Sequence, residues 1–333
     1  MNDPVIAAWI AGLFSALATA VSLVVAIWTS SSNRRLKLLE EEIARRQSER
    51  NARLDYDYEA KKRLYLEFEP LRFQLLEAVS AARDFIVEVS ERARTSDAAD
   101  PGDRAGGAYM RAARIYYLIC PAVCGRAIQR KLTLVDLGLD ESVYIQYLLA
   151  KEVSVLLTLD AAISKHCGMD YTPYVADWRQ LRTVDPGRYR RQGFTPGRLD
   201  NYFNLILEND EAHGGMLSFG GFESLLAQRA PDDVNSAIGA AADLFEDFEP
   251  AQRPVLWRLL MAQYAIYGIL IDALRGGDCG AGALTVWLER LQSDLSGIEV
   301  TPGEASQVAS FVRSRIGRHF QLSRRRESHA WGS

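Results

Sequence analysis

The chain contains few of the residues that build disulfide frameworks or metal centres. Its 333 residues include only four cysteines and four histidines. Cysteines this sparse do not form a disulfide scaffold, and free thiols fit a reducing cytoplasm. Cys120 and Cys124 are one helical turn apart and could supply half a metal site. Their apolar neighbours favour buried structural cysteines instead, so we predict no metal site.

The sequence also lacks a strong net charge and lacks catalytic motifs. Its 39 basic and 43 acidic residues give a net charge of −4, which argues against a dedicated nucleic-acid-binding protein. No Gly-x-Ser-x-Gly, His-Glu-x-x-His or phosphate-loop motif occurs. We therefore predict no catalytic residue, no cofactor and no nucleic-acid partner. These absences favour a non-enzymatic function over an enzymatic one.

Strand patterns and internal repeats are scarce, and apolar residues recur at helical spacing through most of the chain. Helix starts are marked by Asp140, Thr195-Pro196 and the pair Thr301 and Glu304. The segment 254–275 is apolar on almost every side, which predicts a buried central helix. Its uncharged part, 259–271, is too short to cross a bilayer. The fold class predicted is mainly α.

The longest hydrophobic run is Val5–Trp28, which has 24 residues and no charge. As a helix it would be about 36 Å long, enough to cross a hydrocarbon core of about 30 Å. A cleaved signal peptide is the alternative, but such peptides have a basic start and a shorter apolar core. We predict a retained anchor, residues 1–29.

Positive charge follows the run and does not precede it. Arg34, Arg35 and Lys37 lie just beyond Trp28, and the first four residues carry no Lys or Arg. The positive-inside rule then places the N-terminus outside and the bulk of the chain in the cytoplasm. We predict a single-pass protein of the inner (cytoplasmic) membrane. Arginine far outnumbers lysine, which we interpret as a hint of a GC-rich bacterium.

Two short patterns indicate self-association. Small residues at a spacing of four let helix backbones approach closely in lipid, although Ala-rich runs often show such a stripe. Beyond the anchor, a charged helical stalk (30–63) begins with apolar residues at heptad-like spacing, and Arg46, Gln47 and Arg50 then interrupt the pattern. A monomeric solvated helix is the alternative. The residues predicted to form a homo-oligomer contact are Ala8, Gly12, Ala16, Ala20, Leu36, Leu39 and Ile43.

The remaining chain is predicted to form one α-helical cytoplasmic domain, residues 64–322. An exposed linker is expected at 95–107, and a basic flexible tail at 323–333. Pro70 is expected to kink or restart its helix, and Pro121 to break another. The helices 141–165 and 302–322 are also expected, together with one beginning at Thr172-Pro173.

Arginines cluster between Asp177 and Arg198, in a stretch that is rich in proline and glycine and ends at a predicted helix start. Guanidinium groups and free backbone N–H groups both favour phosphate-type anions. The alternatives are pairing with acidic neighbours, among them Asp243, and contact with anionic lipid headgroups. The candidate anion-binding residues are Arg179, Arg182, Arg188, Arg190, Arg191 and Arg198.

Taken together, these features predict a membrane-anchored helical scaffold, sensor or effector that acts through lipid, self and protein contacts. A bacterial defence or stress-response effector has this layout, an analogy at the level of architecture alone. The rival hypothesis is a helical domain that binds an anionic small molecule or nucleotide at the Arg179–Arg198 segment, with or without catalysis.

Overall fold

The structure is a computed structural model, and it is mainly helical, as predicted. It describes residues 3–95, 108–173, 175, 177–207, 217–227, 241, 243–245, 248–276 and 281–330, some helical residues by backbone alone. The described residues are 85% helical and contain no strand.

Eleven α-helices form the described chain. They are α1 (Asp3–Thr95), α2 (Ala108–Lys131), α3 (Glu141–Leu156), α4 (Asp160–His166), α5 (Trp178–Val184), α6 (Pro186–Tyr189), α7 (Pro196–Leu207), α8 (Phe219–Ala227), α9 (Pro254–Leu274), α10 (Ala281–Ser296) and α11 (Glu304–Ala330).

The chain divides into two compact units, Met1–Lys61 and Lys62–Ser333. None of the described side chains of the first unit is buried. The second unit contains the hydrophobic core. The predicted linker 95–107 lies outside the described residues except for Thr95, and the predicted tail 323–333 is described only as helical backbone up to Ala330.

Helix α9 is the centre of the second unit. Seventeen of its 21 residues are buried, and it packs against α3, α4, α10 and α11. Trp257, Met261, Ile266 and Leu270 are wholly buried, which confirms the predicted central helix. A helix surrounded on all sides must be apolar all round, and that is the pattern in the sequence.

The part of α1 in the second unit supplies a further face of this core. Leu64, Phe68, Leu75 and Ile86 are among its buried residues. The predicted restart at Pro70 is wrong, because α1 continues through this residue. Pro70 is exposed, so the carbonyl that loses its ladder hydrogen bond can meet water.

Helices α2 and α3 approach closely at Gly125. A Cβ atom there would lie 2.4 Å from the backbone oxygen of Ala150, so only glycine fits. The predicted break at Pro121 is also wrong, since α2 runs through it. Buried neighbours on both sides of Pro121 hold the helix in place despite the missing hydrogen bond.

Both ends of α9 are bonded by side chains from distant segments. At its start, Gln192 Oε1 accepts from the backbone N–H groups of Val255 and Leu256, at 2.8 and 3.0 Å. At its end, Arg72 Nε donates to the Leu274 carbonyl at 3.0 Å, and Gln146 Nε2 donates to the Ala273 carbonyl at 2.8 Å. These bonds satisfy backbone groups that a helix leaves without partners at its ends.

The predicted helix start at Asp140 is confirmed by its capping bond, whereas the start predicted at Thr301-Pro302 is wrong by two residues although the expected Glu304 bond forms. Asp140 accepts from the Val143 N–H at 3.0 Å, and Glu304 Oε2 accepts from the Thr301 N–H at 3.0 Å. The latter helix begins at Glu304 rather than 302, since Gly303 has a φ of +93°. The predicted helix 141–165 is interrupted at 157–159, between α3 and α4.

The predicted helix start at Thr172-Pro173 is wrong, because neither residue is helical. The Thr172 N–H instead donates to the Arg188 carbonyl at 3.0 Å. The Thr172 hydroxyl accepts from Arg188 Nε at 3.4 Å, so bonds to helix α6 replace the local capping bond that the sequence pattern indicates.

Candidate functional site

The apolar run near the N-terminus is exposed throughout its described length. Residues 12–28 of α1 have no buried side chain, and Trp9 and Trp28 are exposed by 73% and 72%. Two helices in the described chain are long and apolar enough to cross a membrane, and the other, α9, is largely buried. The N-terminal helix is thus a candidate span, although a signal sequence would satisfy the same criteria.

The predicted small-residue stripe lies on this exposed helix. Gly12, Ala16 and Ala20 are exposed, and a Cβ atom on Gly12 would meet nothing within 4 Å. The side chain of Ala8 lies outside the described residues. Nearby hydroxyls are satisfied within the helix, as when Thr19 Oγ1 donates to the Ser15 carbonyl at 2.8 Å. The self-association contact stays a prediction.

The apolar residues of the stalk are exposed as well. Leu36, Leu39 and Ile43 each expose more than half of their surface. Ion pairs run along the same helix, with Arg46 and Glu42 at 2.6 Å and Arg45 and Glu49 at 3.6 Å. Exposed pairs within one helix contribute about 0.3–0.5 kcal/mol each. They favour the helical conformation and do not join two chains.

The arginine segment is divided among three short helices and the loops between them. Arg179 and Arg182 lie on α5, and their side chains are not among the described ones. Arg188, on α6, forms an ion pair with Asp170 at 3.0 Å. Arg190 pairs with the Asp243 carboxylate at 3.1 Å and donates to the Asp243 carbonyl at 2.7 Å. These two guanidinium groups are therefore engaged by aspartates.

The other two arginines lie beside a shallow recess at the start of α7. Its empty volume is about 280 Å³, open solvent included. Arg198 forms no ion pair with a described residue, whereas Arg191 has an interaction of its own. The residues that line the recess are Arg191, Gly193, Phe194, Thr195, Arg198, Asp243 and Leu244.

A buried hydrogen-bond network fixes the loop that carries these arginines. Tyr171 donates its hydroxyl to Asp160 at 2.6 Å and accepts from the Gln192 N–H at 2.8 Å. A Cβ atom on Gly193 would lie 2.8 Å from the Asp160 side chain, so the loop packs directly on α4. Nothing local in the sequence marks Tyr171 or Gln192, since their partners are distant in the chain.

Arg253 also engages this region from the core side. It is 1% exposed and donates to the carbonyls of Asp243, at 3.2 Å, and Leu244. Together with Arg190 it supplies donors to carbonyls of the helical turn at 243–245. These two cations therefore bond protein acceptors at 243–245.

Cys120 and Cys124 lie in the core, and Cys167 is partly buried. The hydrogen bond between Cys120 and Cys124, followed by burial, raises the pKa of Cys120 well above its usual value. Burial likewise raises the pKa of Cys167. A protonated thiol is a poor nucleophile and a poor metal ligand. Among the described residues, no group of three or more His, Cys, Asp or Glu could hold a metal ion.

Comparison with known proteins gives no relative: no protein-family description, no curated protein and no solved structure matches this chain.

Proposed function

We propose that this chain is a single-pass membrane protein whose N-terminal helix anchors a cytoplasmic α-helical domain. In this proposal the protein is an oligomeric scaffold, sensor or effector that acts through protein contacts, in bacterial defence or stress response. The proposal rests on the anchor, because an anchor would hold the rest of the chain at the cytoplasmic face of the membrane.

The observation that carries the proposal is the contrast between the two apolar helices. Helix α9 buries its apolar surface within the protein, whereas the run ending at Trp28 has no buried side chain among its described residues. Exposed apolar surface on this scale indicates a membrane or another protein as its environment. Trp9 and Trp28 are about 28 Å apart along the helix, close to the thickness of a hydrocarbon core.

Two further features support a span rather than a helix lying on the membrane surface. Trp is enriched where a span meets the headgroups, and one Trp stands near each end of the run. The run carries no charged residue, whereas interfacial helices have a strongly charged face. The basic residues Arg34, Arg35 and Lys37 then favour a cytoplasmic location for the chain on the C-terminal side of the run.

Alkaline carbonate extraction of bacterial membranes that contain the full chain tests the anchor. The proposal predicts that the chain stays in the pellet and that mass spectrometry finds the residues of the apolar run in it. A signal sequence would instead leave a shortened chain that begins after Trp28. Release of the intact chain into the supernatant would also contradict the proposal.

The recess at α7 supports a second candidate function, the binding of a small anion. Arg198 and Thr195 stand where the N-terminus of α7 presents its positive dipole end. The enclosed volume of the recess is about 20 Å³, far below the roughly 300–1,000 Å³ of typical small-molecule sites. The recess is therefore an open surface notch, which supports contact with a phosphate-sized anion and not enclosure of a whole nucleotide.

A further inference from the structure

The apolar contact face of the stalk extends beyond the residues that its heptad pattern identifies. Leu54 and Tyr58 are exposed by 66% and 67%, like Leu36, Leu39 and Ile43 before them. At about 100° per residue, these five side chains fall within an arc of about 100° on one side of α1. We call the five residues the stalk face.

The spacing along the stalk face explains why heptad counting misses its second half. Ile43 and Leu54 are 11 residues apart, which is about three turns at 3.67 residues per turn. Leu36 and Leu54 are 18 residues apart, which is about five turns at 3.6. The face thus follows a straight helix rather than a left-handed supercoil.

We propose that the stalk face is the interface with a second copy of this chain, in parallel and in register. The parallel direction rests on the proposed function, since two copies anchored in one membrane enter their stalks from the same side. The stalk face of one copy then contacts the stalk face of the other, as a two-fold interface requires.

Charges beside the face fit this occupant. Glu40 lies on one edge of the arc, at the angle of Tyr58, and Arg35 lies about 40° outside the other edge, five residues earlier, so the two oppose each other across a parallel pair of helices. Arg35 of each copy then lies next to the other copy's Glu40, so two attractive contacts form. These contacts favour the parallel register at the membrane-proximal end of the face.

Polar residues limit the strength of this contact. In all, four polar residues fall inside the same arc: Gln47 and Arg50 between Ile43 and Leu54, and Glu40 and Asp57 at its two edges. In register, Arg50 of one copy approaches its equivalent, which weakens association, and the long stem of arginine lets the charges turn to solvent. The stalk face therefore makes a contact in two short apolar patches rather than one continuous seam.

Disulfide cross-linking of the full chain in native membranes tests the proposal, with the unsubstituted chain as background. The four variants are Leu39→Cys, Leu54→Cys, Leu38→Cys and Tyr56→Cys. Tyr56 is the matched control for Leu54, because it is 68% exposed, two residues away and on the opposite side of α1. Leu38 serves in the same way for Leu39. We expect at least fivefold more dimer from Leu54→Cys than from Tyr56→Cys.

The outcomes separate this proposal from the proposed function. Cross-linking at Leu39 but not at Leu54 above the Tyr56 control overturns the extended face and leaves the oligomer standing. Absence of dimer from both Leu39→Cys and Leu54→Cys overturns the extended face. If an Ala16→Cys variant also gives no dimer, the proposed oligomer is overturned as well. Equal dimer yields from all four variants would indicate random collision and would overturn the proposal. A cross-linked product of a size other than the dimer would indicate a different partner and would also overturn it.

A charge exchange tests the register independently. Arg35→Glu or Glu40→Arg alone places like charges together, and we expect each to lower dimer yield at Leu54→Cys at least threefold. The double exchange restores opposite charges and should restore the yield. A double variant that stays as low as the single ones would contradict the parallel, in-register arrangement.

Discussion

The side-chain oxygen of Gln192 accepts a hydrogen bond from the backbone N–H of Val255, 63 residues further along the chain, at 2.8 Å. The same oxygen accepts from the N–H of Leu256, and Gln192 is wholly buried. One side chain from the arginine-bearing loop therefore caps the central helix of the domain. The position of that loop and the start of α9 depend on each other.

Gln192→Ala should destabilise the protein by about 1–3 kcal/mol, because two buried N–H groups lose their acceptor. Urea unfolding of the full chain in detergent micelles measures the change. Gln252→Ala is the control, since Gln252 is exposed and bonds only a neighbouring glutamate, at 2.7 Å. Equal effects of the two substitutions would contradict the capping role.

Two tyrosines should respond in opposite ways to loss of the hydroxyl. Tyr171→Phe removes bonds to Asp160 and Gln192 and should cost about 1–3 kcal/mol. The Tyr267 hydroxyl is buried and has no hydrogen-bond partner in the described part of the chain. Tyr267→Phe should therefore be neutral or stabilising, as removal of an unpaired polar group is. Thermal melting distinguishes them, and a loss at Tyr267 as large as that at Tyr171 would refute this reasoning.

If the α7 recess binds a small anion, inorganic phosphate at millimolar concentration should raise the melting temperature of the full chain in detergent. Arg198→Gln should abolish the rise, because it removes the guanidinium group that Arg198 places at the recess. Arg188→Gln, which loses contacts with Asp170, Thr172 and Tyr189 outside the recess, should leave the rise unchanged. The same shift in all three proteins would mean a general salt effect and no site.

Gly12→Leu should weaken self-association in the membrane, since a large side chain on the small-residue stripe separates the two backbones. Leu13→Ala, on another side of the same helix, should matter less. Cross-linking yield at Ala16→Cys in native membranes measures both effects. Dimer yield unaffected by Gly12→Leu would show that the anchor is a tether alone.

Local patterns in the sequence predict the helical fold and its centre. Helix α9 could be recognised because a helix packed on all sides is apolar all round, and Asp140 because its capping bond joins it to Val143, three residues away. The interruption between α3 and α4 and the continuity of α1 through Pro70 could not be predicted. Both depend on packing against residues far away in the chain.

The arginine segment shows the same limit at the candidate site. The sequence identifies the arginine cluster and offers Asp243 as one of several acidic partners. It does not indicate that Arg190 is the arginine that pairs with Asp243. The pairing of Arg188 with Asp170 depends on the fold of the intervening loop. Only the folded arrangement shows which carboxylate each of these two arginines meets, because the choice of partner depends on three-dimensional position.

The central claim, a retained anchor with its N-terminus outside, is tested most directly by cysteine labelling of intact bacteria with a membrane-impermeant maleimide. Asn2→Cys should be labelled, while Ser32→Cys and the unsubstituted chain, whose four cysteines would be cytoplasmic, should not be labelled until the membrane is opened. Labelling of Ser32→Cys in intact cells, or a membrane-bound chain that lacks residue 2 and the apolar run, would contradict the account.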